Sequence, residues 1–92
     1  MQLEQLRKKI NKIDAEIVSL LAKRRVCVIE VGKYKKKNGL KIYQPTREHE
    51  LLVEKAKLAE KAGVDPDLIK KFFGLILKNS RKIQREIHKA KL

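Results

Sequence analysis

Leu3, Leu6, Ile10, Ile13, Ile17, Leu20, Arg24, Cys27, Val31 and Tyr34 follow one another in alternating steps of three and four, and no other feature constrains this chain so tightly. Such a repeat is the a/d seam of a packed helix. From Gln2 to Lys37 there is no proline and the only interior glycine is Gly32. The spacing therefore predicts one helix of roughly 35 residues, about 52 Å long at the usual rise per residue. A compact globule of this chain's size has a radius of gyration near ~12 Å and a diameter of roughly 30 Å. The helix overhangs its own chain. The simplest repair is a homodimer in which the overhanging apolar turns pack against a second copy, as an entwined pair.

Asn38-Gly39 ends this helix, because either residue suits the left-handed position after a helix C-terminus. After a short loop, Leu40 to Gln44, Pro45 fits the first position of a second helix running to about Ala62 and closed by Gly63. Its inward stripe is Glu48, Leu51, Leu52, Ala56 and Ala59. Asp65-Pro66 is a cap and first-position pair opening a third helix toward His88, on the stripe Ile69, Phe72, Phe73, Ile76, Ser80, Ile83 and Ile87. The expected architecture is all-α, three helices in a single domain covering 1–92.

The composition agrees: 4 glycines, 2 prolines and 4% aromatic residues are too few for a β-rich fold. A chain this short buries only about 60–65% of its unfolded surface when alone, a second reason to expect a partner. The one cysteine, Cys27, excludes a disulfide framework and, lying on the seam, is expected to be a small buried hydrophobe. There is no signal-peptide stretch and no apolar run approaching the ~18 residues that span a bilayer, so a soluble, cytoplasmic chain with no membrane association is expected. The net charge of +13 predicts attraction to anions, whether a polyanion or a small polycarboxylate. Most lysines, Lys8, Lys9 and Lys12 among them, fit solvated helix faces.

The informative residues are polar ones set into apolar faces. Arg24 sits in the seam, where an unpaired guanidinium costs several kcal/mol (~3–5) to bury, so it must be exposed, paired with a carboxylate or kept for an anionic ligand. Lys35 lies eleven residues on, about 1,100° around the helix, and so shares its face to within some 20°. Arg7, seventeen residues before Arg24, is about 25 Å away along the axis and cannot share a pocket with it inside one chain. In a dimer with crossing helices, Arg7 of one chain can enter the pocket of the other. Ser80 and Gln84, stacked at i and i+4, replace apolar residues in the third helix and offer a hydroxyl and a neutral amide. Singly, they also suit interhelical hydrogen bonding in a core. Glu48 supplies a carboxylate on the inward stripe of the second helix, next to Arg47. His49 and His88 belong to no metal-ligand spacing, and no phosphate loop or nucleophile–base set is present, so neither metal nor cofactor is expected.

In order, spacing and residue type, Leu6-Arg7-Lys8-Lys9-Ile10, Ile13-Asp14, Leu20-Leu21-Ala22-Lys23-Arg24, Val31-Gly32-Lys33-Tyr34-Lys35, Pro45-Thr46-Arg47-Glu48 and Ser80-Arg81-Lys82-Ile83-Gln84 are together similar to a known family. Over essentially its whole length the chain resembles the all-helical AroQ-type chorismate mutases. The resemblance implies an entwined dimer of three-helix chains with two sites, each drawing on both chains. It implies that Arg7 of the neighbour and Arg24 hold the carboxylates of chorismate, helped by Ser80. Lys35 and Gln84 would donate to its ether oxygen, and Glu48 would receive the ring hydroxyl, with Arg47 in support. The family usually carries Asp where this chain has Gln44, and the resemblance implies that a backbone N–H at this helix start would serve in place of that side chain. The implied reaction, chorismate to prephenate in aromatic amino acid biosynthesis, is an intramolecular rearrangement needing no protein proton transfer and no covalent intermediate. It asks only for a compact conformer and for charge stabilisation at the ether oxygen, which suits these residues.

Two other readings compete. Isochorismate pyruvate-lyases resemble these mutases but generally lack the glutamate after the arginine of the second-helix motif, so Glu48 favours the mutase. A basic helical nucleic-acid-binding module accounts for the charge. It lacks the aromatic interleaving of single-strand binders and leaves Glu48, Ser80 and Gln84 unexplained, so no nucleic-acid partner is expected.

Overall fold

The computed structural model describes residues 2–90, so the expected domain limits at Met1 and Leu92 lie outside the described residues. It consists of α1 (Leu3–Lys37), α2 (Pro45–Ala62) and α3 (Pro66–Lys89). Each boundary has a local cause. Gln5 folds back to accept the backbone N–H of Gln2 at 3.0 Å, occupying a donor that the start of α1 cannot use internally. At the other end Gly39 takes a φ of 64°, Leu40 N–H reaches Lys35 O at 2.9 Å and Gly39 N–H reaches Lys36 O at 3.5 Å. This pair of reversed bonds is the Schellman closure that a left-handed glycine permits. Gly63 closes α2 in the same way at a φ of 73°, with Val64 N–H on Ala59 O at 2.9 Å. Asp65 caps α3 by accepting Asp67 N–H at 2.9 Å ahead of Pro66.

α3 is the middle element: it packs on α1 and on α2, whereas α1 and α2 do not pack on each other. The stripes expected on α2 and α3 turn inward, with Ala56, Ala59 and Ile83 buried and Phe72 edge-on to Phe73 at 5.3 Å, and Leu77, outside the expected stripe, is buried with them. Only the second half of α1 joins them. Every residue from Gln2 to Leu20 is exposed, and the seam residues Leu3, Leu6, Ile10, Ile13, Ile17 and Leu20 show between 42% and 62% of their surface. Extents of 54 × 27 × 14 Å and a radius of gyration of 16.5 Å follow from this overhang.

One expectation fails. Cys27 is exposed, because the face α1 lays on α3 is not the seam but the neighbouring stripe Leu21, Val28 and Gly32. That stripe is broken by Arg24, Gly32 and Lys35, so hydropathy does not reveal it, and residue 27 points about 100° away from residue 28. Apart from Arg24, which reaches α3, the seam is thus left exposed by the chain's own packing.

Candidate active site

Because α1 and α2 flank α3 without touching, a cleft opens between them with α3 as its floor. It encloses a cavity of about 440 Å³. Arg24, Cys27, Val28, Val31 and Lys35 of α1 form one wall, and Arg47, Glu48 and Leu51 of α2 the other. Ile42 and Gln44 of the connecting loop close one end, and Leu77, Ser80, Arg81 and Gln84 of α3 form the floor.

Arg24 reaches across to α3, where Nη1 donates to Ser80 Oγ at 2.8 Å, and the Ser80 hydroxyl donates in turn to Ile76 O at 2.8 Å. The one donor of Ser80 is therefore spent within the chain. Ser80 orients Arg24 and leaves the rest of the guanidinium's donors for an anion.

Lys35 and Gln84 form the second cluster. Lys35 Nζ donates to Gln84 Oε1 at 3.1 Å and to Ile42 O at 3.0 Å, so one of its three N–H groups remains. Gln84, only 6% exposed, donates from Nε2 to Val28 O at 3.2 Å, which leaves one amide N–H. Its side chain lies over Gly32, where a Cβ would meet Gln84 Cγ and Ile87 Cδ1 at 3.0 Å each. A side chain at 32 would lift Gln84 off α1. Burial pushes the Lys35 pKa below its ordinary 10.5, and the negative charge of Glu48 opposes that shift in part.

The third cluster joins all three sides. Arg81 Nη1 pairs with Glu48 Oε1, both side chains being mostly buried, and the Arg81 guanidinium stands 5.0 Å from the centre of the Tyr43 ring in the connecting loop. Gln44 turns its amide back onto Lys41 O at 3.2 Å. The Gln44 backbone carbonyl accepts Glu48 N–H at 3.1 Å, and Pro45 brings no N–H of its own to the start of α2.

Of the residues singled out in the sequence, Arg24, Lys35, Gln44, Arg47, Glu48, Ser80 and Gln84 border one cavity. Arg7 does not: it lies on the exposed half of α1. Arg81 was missed as a site residue, although its spacing three before Gln84 and four after Leu77 places it on the same face of α3. The cavity presents cationic side chains, a buried neutral amide and one carboxylate already paired. Such a site can hold a small dianion in one conformation and favour negative charge at an acceptor atom beside Lys35 and Gln84.

The sequence profile described as chorismate mutase type II matches residues 6–85, a span that includes every residue named around the cavity and also Arg7. The chain is 42% identical over 79 residues to the T-protein of Enterobacter agglomerans, covering 86% of this chain and 21% of that protein. It is 29% identical over 85 residues to the chorismate mutase of Methanocaldococcus jannaschii, covering 92% of this chain and 86% of that protein. With the bifunctional chorismate mutase/prephenate dehydratase of Escherichia coli it shares 35% identity over 75 residues, 82% of this chain and 19% of that protein. The chain thus spans about a fifth of the T-protein and of the bifunctional relative, and nearly all of the archaeal one. From the match over residues 6–85 and these identities, the chain belongs to the chorismate mutase type II family.

Proposed function

We propose that this chain rearranges chorismate to prephenate in aromatic amino acid biosynthesis, acting in the cytoplasm as an entwined homodimer of single mutase domains, without metal or cofactor. The observation that carries the reading is the junction of Lys35 and Gln84 in a cavity that Arg24, oriented by Ser80, also borders.

Arg24 takes one substrate carboxylate through its unspent guanidinium donors, and Arg7 of a second copy enters to take the other. Forked guanidinium contacts fix the compact conformer in which the breaking C–O and forming C–C bonds are aligned. The ether oxygen lies against the remaining N–H of Lys35 and that of Gln84. As the C–O bond stretches, this oxygen gains negative charge, and donors already held by Ile42, Val28 and each other stabilise it with little reorganisation. The second oxygen of Glu48 accepts the ring hydroxyl. Gln44 contributes the polar lip at the start of α2. No side chain exchanges a proton with the reacting atoms.

The entwined dimer is supported by the unclaimed seam from Leu3 to Leu20 and by the position of Arg7 on the same exposed half of α1. No helix among the described residues is long and apolar enough to cross a membrane. The test is direct: purified protein, treated with EDTA and dialysed, is given chorismate, and loss of chorismate and appearance of prephenate are followed. Inert chorismate ends the proposal, and faster cleavage of isochorismate to salicylate replaces it with the lyase.

A further inference from the structure

The cavity contains one carboxylate among several cations, and its behaviour depends on which cation that carboxylate takes. Glu48 has three alternatives besides Arg81, since Arg24, Lys35 and Arg47 border the same space. Its charge already reaches Lys35. Yet its ion pair is with Arg81, which projects from the floor and is held from its other side by the Tyr43 ring. Tyr43 adjoins Ile42, whose carbonyl accepts Lys35.

We propose that Arg81 is a positioning residue that sequesters Glu48, keeping the one carboxylate that borders the cavity among the described residues off the cations that must receive the substrate. The inference rests on the mutase reading and adds to it a residue that touches no reacting atom. A half-buried carboxylate deprived of its cation seeks another, because leaving it unpaired costs more than re-pairing it. Without Arg81, Glu48 moves to Lys35 or Arg24. There it consumes the N–H groups left for the ether oxygen and the substrate carboxylate. Every substrate molecule must then displace an internal ion pair before it binds. Removing Arg81 therefore acts as a built-in competitive inhibitor: it weakens binding and leaves the rearrangement of bound substrate largely intact.

Steady-state kinetics on chorismate test this with four proteins: wild type, Arg81→Met, Arg81→Lys and the double variant Arg81→Met with Glu48→Gln, each checked by thermal melting. Arg81→Met raises KM about tenfold and changes kcat by less than about threefold. Arg81→Lys, which keeps the charge, stays within about threefold of wild type in KM. The double variant binds chorismate better than Arg81→Met, because the competing carboxylate has lost its charge. Lys35 shares the cavity with Arg24 of its own helix, with Glu48 and Arg47 of α2 and with Arg81 of α3, and the charge that acts on it is that of Glu48. In Arg81→Met the approach of Glu48 also moves the alkaline limb of kcat/KM to higher pH, a shift that a merely structural role does not produce. If Arg81→Met melts below the assay temperature, Arg81→Gln, which keeps a donor but no charge, carries the same expectations. An unchanged KM, a loss confined to kcat, or a double variant worse than the single one overturns the proposal while wild-type turnover keeps the mutase reading. Inert wild-type protein overturns the mutase reading itself.

Discussion

Lys35 Nζ and Gln84 Oε1 lie 3.1 Å apart, which fastens a cation weakened by burial to the one buried polar side chain among the described residues. Neither group is free to swing, and the two remaining N–H groups point from a fixed pair. The proposed chemistry depends on Lys35 being charged. Burial lowers its pKa, so the charged form is lost as pH rises through a value below the ordinary 10.5. We expect kcat/KM to be level near neutrality and to fall on the alkaline side before a free lysine titrates. Glu48 is the group that raises this pKa, so Glu48→Gln moves the alkaline limb to lower pH. Rate profiles from neutrality to about pH 10.5 check both statements, and a limb unmoved by Glu48→Gln would separate Lys35 from the rate.

Gln84→Glu places a carboxyl where the amide donates. Ionised, it neutralises Lys35 and repels an oxygen that becomes negative; protonated, it donates as the amide did. Activity of this variant rises as pH falls through its carboxyl pKa, which the cations nearby lower and burial raises. At neutral pH the loss is roughly 100-fold, the order seen when a donor to a developing oxyanion is removed. A profile as level as that of wild type would place residue 84 away from the reacting oxygen.

Gly32→Ala sets two effects against each other. In a helix interior alanine is favoured over glycine by about 1 kcal/mol. Against this, the new Cβ meets Gln84 Cγ and Ile87 Cδ1 at 3.0 Å, and overpacking of this kind costs about 1–3 kcal/mol. The variant is expected to melt at or below the wild-type temperature and to lose roughly tenfold in kcat/KM as Gln84 is displaced. A higher melting temperature with full activity would show that Gln84 yields at no cost.

The unclaimed seam predicts a particle of twice the 10.7 kDa chain mass by light scattering after size exclusion. Ile13→Glu sets a charge among apolar turns that need a partner, and is expected to give monomer and to remove activity, though Ile13 lies far from the cavity. A stable, active monomer at micromolar concentration contradicts the entwined arrangement.

Arg7 and Arg24 give the sharpest test of shared sites. Arg7→Ala and Arg24→Ala homodimers should each lose at least ~100-fold in kcat/KM through loss of a charge-assisted carboxylate contact. When the two are unfolded together and refolded in equal amounts, about half of the dimers are mixed, each with one pocket holding both arginines, so roughly a quarter of wild-type activity returns. Recovery no better than the mean of the two variants, with mixed dimers confirmed by mass, places Arg7 outside its neighbour's pocket.

The helices and their ends were legible because each boundary is written in a residue suited to one local conformation. Gly39 and Gly63 stand at positive φ, Pro45 and Pro66 at first helical positions, and Asp65 serves as a cap. Arg24, Lys35, Glu48, Ser80 and Gln84 were legible as polar breaks in apolar faces, and all border the cavity. Cys27 was misread because the apolar seam and the face on α3 are different stripes of α1, and the latter is built around Gly32, which hydropathy does not register. Arg81 hid for the opposite reason. In a chain of 24 basic residues a further arginine looks like solvated surface until Glu48 and Tyr43 are seen around it. The internal bonds of Ser80 were also invisible, since spacing places a hydroxyl on a face without saying that Ile76 and Arg24 already occupy it.

The bare first half of α1 has a consequence beyond the site. Contacts that Leu3 to Leu20 do not make within the chain are made, in the proposed dimer, between chains, so order in this segment is a property of the solution as well as of the sequence. Melting temperature should climb with protein concentration, and refolding should contain a second-order step that slows on dilution. The same coupling acts on anything covalently joined to the segment. Two copies of an attached domain would be tethered at a local concentration of about millimolar, and would meet each other whether or not they had any affinity of their own.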